Sequence, residues 1–132
     1  MPGAIVNVKE VLKAIYYAKK YHGSQKRLSG EPFYSHPLEV AYMVSEYLFR
    51  TDIIVTAILH DTIEDTLLTK EMVAEIFNPV IANQIYDLTR IKGDEEINTP
   101  DTIMKLYEER KYEMLLIKLF DRLHNTLTLK IV

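Results

Sequence analysis

The residues best suited to chemistry lie in Leu59-His60-Asp61-Thr62-Ile63-Glu64-Asp65-Thr66, directly after the apolar run Ile53-Ile54-Val55-Thr56-Ala57-Ile58. That run predicts a buried helix whose last turns carry the motif. Histidine and aspartate both ligate divalent metals, and here His60 and Asp61 are adjacent. Glu64 follows His60 by four residues, and Asp65 follows Asp61 by four. In one continuous helix this spacing sets each carboxylate on the same face, one turn beyond a candidate ligand. Ionisable groups gathered at the end of an apolar helix are costly unless their charge is compensated, which a divalent cation does. Elsewhere His36 opens a second predicted helix, and Asp121 falls inside an apolar one. Taken singly, each has a plainer reading. His36 would be a cap or packing residue, and Asp121 an ion-pair partner of Arg122 or Lys118. Together, His36, His60, Asp61 and Asp121 bring two imidazoles and two carboxylates from three helices. That is enough for one metal with positions left open for water and substrate.

The elements that must carry these residues read as helices joined by short loops. Asn7 to Tyr21 is the first, with capping-box spacing from Asn7 to Glu10, a stripe of Val11, Leu12, Ile15 and Ala18, and a stop at Gly23. A polar loop follows, Ser24 to Pro32. The second helix starts at Ser35-His36-Pro37, where a proline in the first turn costs little, and buries Leu38, Ala41, Val44, Tyr47 and Leu48. The third runs from about Asp52 into the motif. The fourth begins near Thr69, with Met72, Val73, Ile76 and Phe77 apolar, and Asn78-Pro79 breaks it. The fifth spans Val80 to about Arg90 and buries Val80, Ile81, Ile85 and Leu88. Lys92-Gly93-Asp94-Glu95-Glu96 reads as a loop. Thr99-Pro100 has cap-plus-first-turn chemistry and opens a sixth helix through about Tyr107. The last covers roughly Tyr112 onward, with Leu115, Leu116, Leu119 and Leu123 on its core side and Asn125 one turn after Asp121. No strand alternation, internal repeat or low-complexity tract interrupts this pattern, so the expected fold class is all-α.

With 132 residues the chain is long enough for one domain with a real core, expected to span residues 1–132, and too short for two. Its 48% hydrophobic and 27% charged residues are those of an ordinary globular protein. A net charge of −3 offers no whole-protein attraction to nucleic acid or anionic membranes. The absence of cysteine excludes disulfides and thiolate metal sites, so a metal would be held by His, Asp, Glu and water. No apolar run approaches a membrane span, and no signal peptide is evident, so the expected compartment is the cytoplasm. The chain stops with Leu129, Ile131 and Val132 apolar and without a C-cap signal. Either the last helix packs at the terminus or further helices are missing, and self-association through that end is plausible.

Three stretches together resemble a known family. They are Gln25-Lys26-Arg27-Leu28-Ser29-Gly30-Glu31-Pro32-Phe33-Tyr34-Ser35-His36-Pro37, then His60-Asp61-Thr62-Ile63-Glu64-Asp65-Thr66, then Lys118-Leu119-Phe120-Asp121-Arg122-Leu123-His124-Asn125. The chain resembles HD-superfamily metal-dependent phosphohydrolases from about Ala18 to its end. More closely, it resembles the hydrolase domain of RelA/SpoT-type alarmone enzymes and their small stand-alone relatives. The resemblance implies an all-helical HD-domain bundle and a single Mn²⁺ ion held by His36, His60, Asp61 and Asp121. It implies hydrolysis of the 3′-pyrophosphate of guanosine tetra- or pentaphosphate (ppGpp or pppGpp), the alarmones of the stringent response, to GDP or GTP and pyrophosphate. By the same resemblance Glu64 and Asp65 form the acid/base and water-positioning pair, and Arg27 stacks on or clamps the guanine with Ser29 nearby. Asn125 and Thr128 contact the sugar and phosphates.

Elementary chemistry agrees with these roles. Phosphoryl transfer needs positioning and charge neutralisation above all, and an arginine suits a planar base better than a lysine does. Two positions depart from the family pattern: Leu28 and Leu127 stand where cations are usual. An isolated chain of this length, short of the family's further helices and of a synthetase domain, is therefore expected to bind metal better than it turns over substrate. Two other readings stand beside the alarmone hydrolase. One is an HD phosphohydrolase acting on another nucleotide. The other is a non-catalytic module that binds metal or nucleotide, which the intact Glu64 and Asp65 argue against.

Overall fold

A computed structural model describes residues 6–93, 104, 107, 108 and 111–129. Among these residues every extended element is a helix, and the Ser24 to Pro32 loop is closed by an isolated antiparallel bridge between Lys26 and Pro32. The helices are α1 (Val8–His22), α2 (Ser35–Ser45), α3 (Thr51–Leu59), α4 (Thr62–Asp65), α5 (Lys70–Ile76), α6 (Pro79–Gly93) and α7 (Tyr112–Leu129). No helix among the described residues is long and apolar enough to cross a membrane.

The centre of the bundle is α3. Every residue from Ile53 to Leu59 is buried, as expected of a short helix that is apolar on all sides. Helices α1, α2 and α6 pack around it, α7 lies across α2 and α6, and α5 covers α6. The ends are set by local chemistry. The Asn7 side chain accepts from the Glu10 amide at 3.2 Å, and Asn7's own amide donates to Thr51 Oγ1 at 2.9 Å, tying the starts of α1 and α3 together. Gly23 ends α1 with φ at +55°, a conformation that suits glycine, and returns its amide to Lys19 O at 2.9 Å. Thr69 caps α5 by accepting from Met72 N. Asn78 does more than break the chain: it caps α6 by accepting from Ile81 N at 2.9 Å, with Pro79 as the first helical residue.

Several expectations about the core need correcting. Tyr47 is exposed because α2 ends at Ser45, so the helical stripe lapses before reaching it; its ring stacks on Phe120 instead. Val80 is exposed in the first turn of α6, whereas Ile81, Ile85 and Leu88 are buried as expected. Leu12 is exposed because it lines an apolar groove with Val8, Tyr42 and Phe49, and the buried face of α1 is Ala14, Ala18 and His22. Leu119 and Leu123 are exposed. The buried face of α7 is Met114, Ile117 and Asp121, so a carboxylate occupies a core position. Helix α6 runs through Gly93, so Lys92 and Gly93 are helical rather than loop. The expected cap at Thr99-Pro100 and the end at Ile131 and Val132 lie outside the described residues.

Candidate metal centre

The central motif does not continue its helix. Helix α3 stops at Leu59, His60 forms its C-cap, and Asp61 begins the short α4. Side chains capture the carbonyls that a continuing ladder would use. His60 Nδ1–H donates to Ala57 O at 2.6 Å and Thr62 Oγ1 to Leu59 O at 2.6 Å, whereas beyond the break Thr62 O keeps its backbone bond from Thr66 N at 2.9 Å. Such local bonds compete with helix propagation. The expected shared helix face therefore holds only in part. Asp61 and Asp65 remain one α-turn apart, with Asp65 N bonded to Asp61 O at 2.9 Å. Glu64 is not carried on the same continuous helix as His60. Both Glu64 and Asp65 are exposed.

Three helices deliver the four candidate ligands to one point. His36 comes from the first turn of α2, His60 and Asp61 from the α3–α4 corner, and Asp121 from the buried face of α7. All four are buried, and one ligand atom of each lies within 4.8 Å of the others. Asp121 Oδ1 accepts from His36 Nε2 at 2.6 Å and from His60 Nε2 at 3.1 Å. Asp61 Oδ2 lies 3.4 Å from His60 Nε2 and 4.0 Å from His36 Nε2. The plain ion pair of Asp121 with Arg122 or Lys118 is therefore not its main engagement.

Charge balance explains the protonation. Burial disfavours a charged His60, but the neighbouring Asp61 and the hydrogen bond to Asp121 outweigh it and raise its pKa to about 9. For Asp121, burial opposes charge, yet the hydrogen bonds from His36 and His60 hold its carboxyl well below the usual carboxylate range.

The imidazoles are oriented for a divalent cation. His60 spends Nδ1–H on Ala57 O, which directs Nε2 at the cluster. His36 Nδ1 lies 2.7 Å from His124 Nδ1, and the two rings stack with centroids 4.9 Å apart. His36 can donate its Nδ1–H to His124, so a cation would replace only the Nε2 proton that Asp121 Oδ1 accepts. Burial, then the nearby His36 and Arg27, lowers the pKa of His124, which suits an acceptor. The sequence reading gave His124 no role. The signal was its place three residues after Asp121, on the same helix face. His124→Phe keeps the stacked ring and removes the acceptor, so cation affinity should fall about 10- to 100-fold with the fold intact. Titration calorimetry with Mn²⁺ checks this.

The remaining candidates divide. Arg27 Nη2 donates to Asn125 Oδ1 at 2.9 Å, joining the Ser24 to Pro32 loop to α7 beside the cluster. Ser29 is exposed at the loop's turn, next to Gly30 with φ at +93°. Thr128 belongs to α7, but its side chain lies outside the described residues. Glu64 lines a small crevice with His60, Asp61, Thr89, Lys118 and Asp121. Leu28 and Leu127 are both exposed.

Known proteins share this arrangement of sequence. A "GTP pyrophosphokinase rsh" of Brucella ovis is 38% identical over 135 residues, covering 96% of this chain. A "guanosine-3′,5′-bis(diphosphate) 3′-pyrophosphohydrolase" of Aquifex aeolicus is 37% identical over 128 residues, covering 93%. The chain spans about one fifth of the length of these relatives, 18% in each case. Among solved structures, one described as "A metazoan ortholog of SpoT hydrolyzes ppGpp and plays a role in starvation responses" superposes with a TM-score of 0.74 at 24% identity. The match covers 97% of this chain and 74% of the other, and it establishes the common fold. The HD domain family matches residues 14–131, nearly the whole sequence. The chain belongs to the HD domain family.

Proposed function

We propose that residues 1–132 form one domain of a cytoplasmic, Mn²⁺-dependent hydrolase that removes the 3′-pyrophosphate of guanosine tetra- and pentaphosphate. The observation that carries this reading is the buried group of His36, His60, Asp61 and Asp121, with Glu64 lining the crevice beside it. The names borne by the Aquifex aeolicus relative and by the metazoan structure point to the same substrate.

The residues present fit a hard or borderline divalent cation: two imidazole nitrogens and two carboxylates, with both histidines turned toward the cluster by their other nitrogens. When bound, that cation neutralises phosphoryl charge and acidifies the attacking water. The chain's own groups do the rest. Asp121 and Asp61 supply the negative charge that would hold the cation. Glu64 and Asp65 hold the water at the rim, take its proton, and return a proton to the ribose 3′-oxygen as its bond to phosphorus breaks. The products are a guanosine 5′-di- or triphosphate and pyrophosphate. Asn125, one turn of α7 beyond Asp121, holds the Arg27 guanidinium, which stacks on or clamps the guanine. Ser29 and Thr128 complete the contacts to the nucleotide.

The exposed leucines at positions 28 and 127 provide no charge for the substrate phosphates. Each missing charged hydrogen bond is worth about 1.5–3 kcal/mol. Arg27→Ala is expected to weaken binding of guanosine tetraphosphate about tenfold or more, and Leu28→Lys to strengthen it. A binding panel of guanosine tetraphosphate, GTP, ATP and dGTP on these proteins tests the assignment. Preference for the tetraphosphate that depends on Arg27 supports it. Equal binding of all four nucleotides favours an HD hydrolase of other specificity, and no nucleotide binding at all favours a metal-binding module.

A further inference from the structure

We infer that Gln25 is a positioning residue for this site, clasping the Arg27 loop to the Glu64-Asp65 turn. The inference rests on the hydrolase reading above for its kinetic consequence, but its geometry stands apart from it. Gln25 engages both ends of its side chain and both backbone groups. Its Nε2 donates to the Asp65 main-chain carbonyl at 3.1 Å, across forty residues of sequence. Its Oε1 faces His22 Nδ1 at 3.1 Å, its amide donates to His22 O at 3.0 Å, and its carbonyl accepts from Phe33 N at 2.8 Å.

Each partner gives the clasp a direction. His22 is buried at the C-terminal end of α1 and lies against Phe33, with ring centroids 4.8 Å apart. Its Nε2 is buried without a hydrogen-bond partner. A buried N–H without an acceptor is costly, so the proton belongs on Nδ1, where Gln25 Oε1 accepts it. That fixes the amide's orientation and aims its N–H₂ at Asp65. Phe33 in turn accepts from the His36 amide at 3.1 Å, which places a candidate ligand at the far end of the same loop. The loop is also closed on itself, with Arg27 N bonded to Glu31 O at 2.9 Å and Gly30 N to Arg27 O at 2.9 Å. Arg27 therefore moves with Gln25. The short α4 has few bonds of its own, and Gln25 is the strut that holds its C-terminal carbonyl.

The consequence is a shared register. One amide sets the distance between the group that would hold the substrate base and the carboxylates that would handle its protons. Errors of about 1 Å in such a register cost on the order of a hundredfold in rate. Two variants separate the two halves of the clasp. Gln25→Met removes both side-chain bonds. Gln25→Glu keeps an oxygen for His22 Nδ1–H but loses the N–H donated to Asp65.

In the purified chain with Mn²⁺ and guanosine tetraphosphate, both variants should lose at least tenfold in kcat while titrating the cation as wild type does. The histidine side-chain ¹⁵N spectrum should show His22 protonated on Nδ1 in wild type and Gln25→Glu, and shifted in Gln25→Met only. Amide exchange at Asp65 and Thr66 should quicken in both variants. Wild-type kcat and KM in either variant would overturn the inference. So would a loss of turnover matched by a loss of bound cation or by unfolding at the assay temperature, since that is a merely structural role. If wild type itself fails to hydrolyse the tetraphosphate, the hydrolase reading falls. Amide exchange and the His22 spectrum then decide the clasp: quickened exchange with the predicted tautomers upholds it, and unchanged exchange overturns it.

Discussion

Replacing His60 or Asp121 with alanine is expected to empty the protein of its divalent cation and to abolish hydrolysis together. The two substitutions act through different atoms. Asp121 Oδ1 lies 2.6 Å from His36 Nε2 and 3.1 Å from His60 Nε2, so it is the shared partner of both imidazoles. Without it, two buried rings lose a shared hydrogen-bonding carboxylate. His60→Ala leaves Asp61 and Asp121 buried side by side with one imidazole between them. Removing one partner of a buried pair typically costs about 3–5 kcal/mol, less where the survivor can shed its charge. Asp121→Asn, which keeps the volume, therefore belongs in the comparison. Elemental analysis after dialysis reads the effect, with circular dichroism to confirm folding. About one equivalent of metal in wild type and nearly none in the variants is the expected result. Unchanged metal in His60→Ala and in both Asp121 variants would show that the cluster holds no cation.

The second large effect is a separation of binding from chemistry. Glu64→Gln and Asp65→Asn should keep the cation and lose hydrolysis by about 10²–10⁴-fold, the usual worth of a general acid or base. Both side chains are exposed, so neither substitution removes a packed group, and the fold should be unaffected. Glu64 lines the crevice with His60, Asp61 and Asp121, which places it beside the reacting centre. Asp65 stays one α-turn from Asp61 through its amide bond. Initial rates at saturating Mn²⁺, set beside metal content measured on the same preparations, make the test. Wild-type turnover in both variants would reduce the pair to a solvated helix end.

Much of this is legible in the sequence. Asn7, Gly23 and Thr69 set their helix ends as their residue types predict, because capping is a contact between near neighbours in sequence. His60, Asp61 and Asp121 stand out because charge in an apolar context is conspicuous, whereas His36 stands out only as part of the ordered set they complete. The break at His60 does not stand out. It depends on two side chains competing for carbonyls that an uninterrupted apolar pattern gives no reason to expect are taken. The face of α7 was misread for a related cause. A stripe drawn through its leucines ignores Asp121, yet the site places that carboxylate in the core and turns Leu119 and Leu123 outward. His124 and Gln25 act through partners eighty-eight and forty residues away, which no local pattern encodes.

The most direct test is to incubate the purified chain with guanosine tetraphosphate, with and without Mn²⁺, and to identify the products by anion-exchange chromatography. The account predicts GDP and pyrophosphate in equal amounts, formed only with the cation and lost on adding a chelator. Absence of product with the cation bound, release of orthophosphate in place of pyrophosphate, or turnover that ignores the chelator would contradict it.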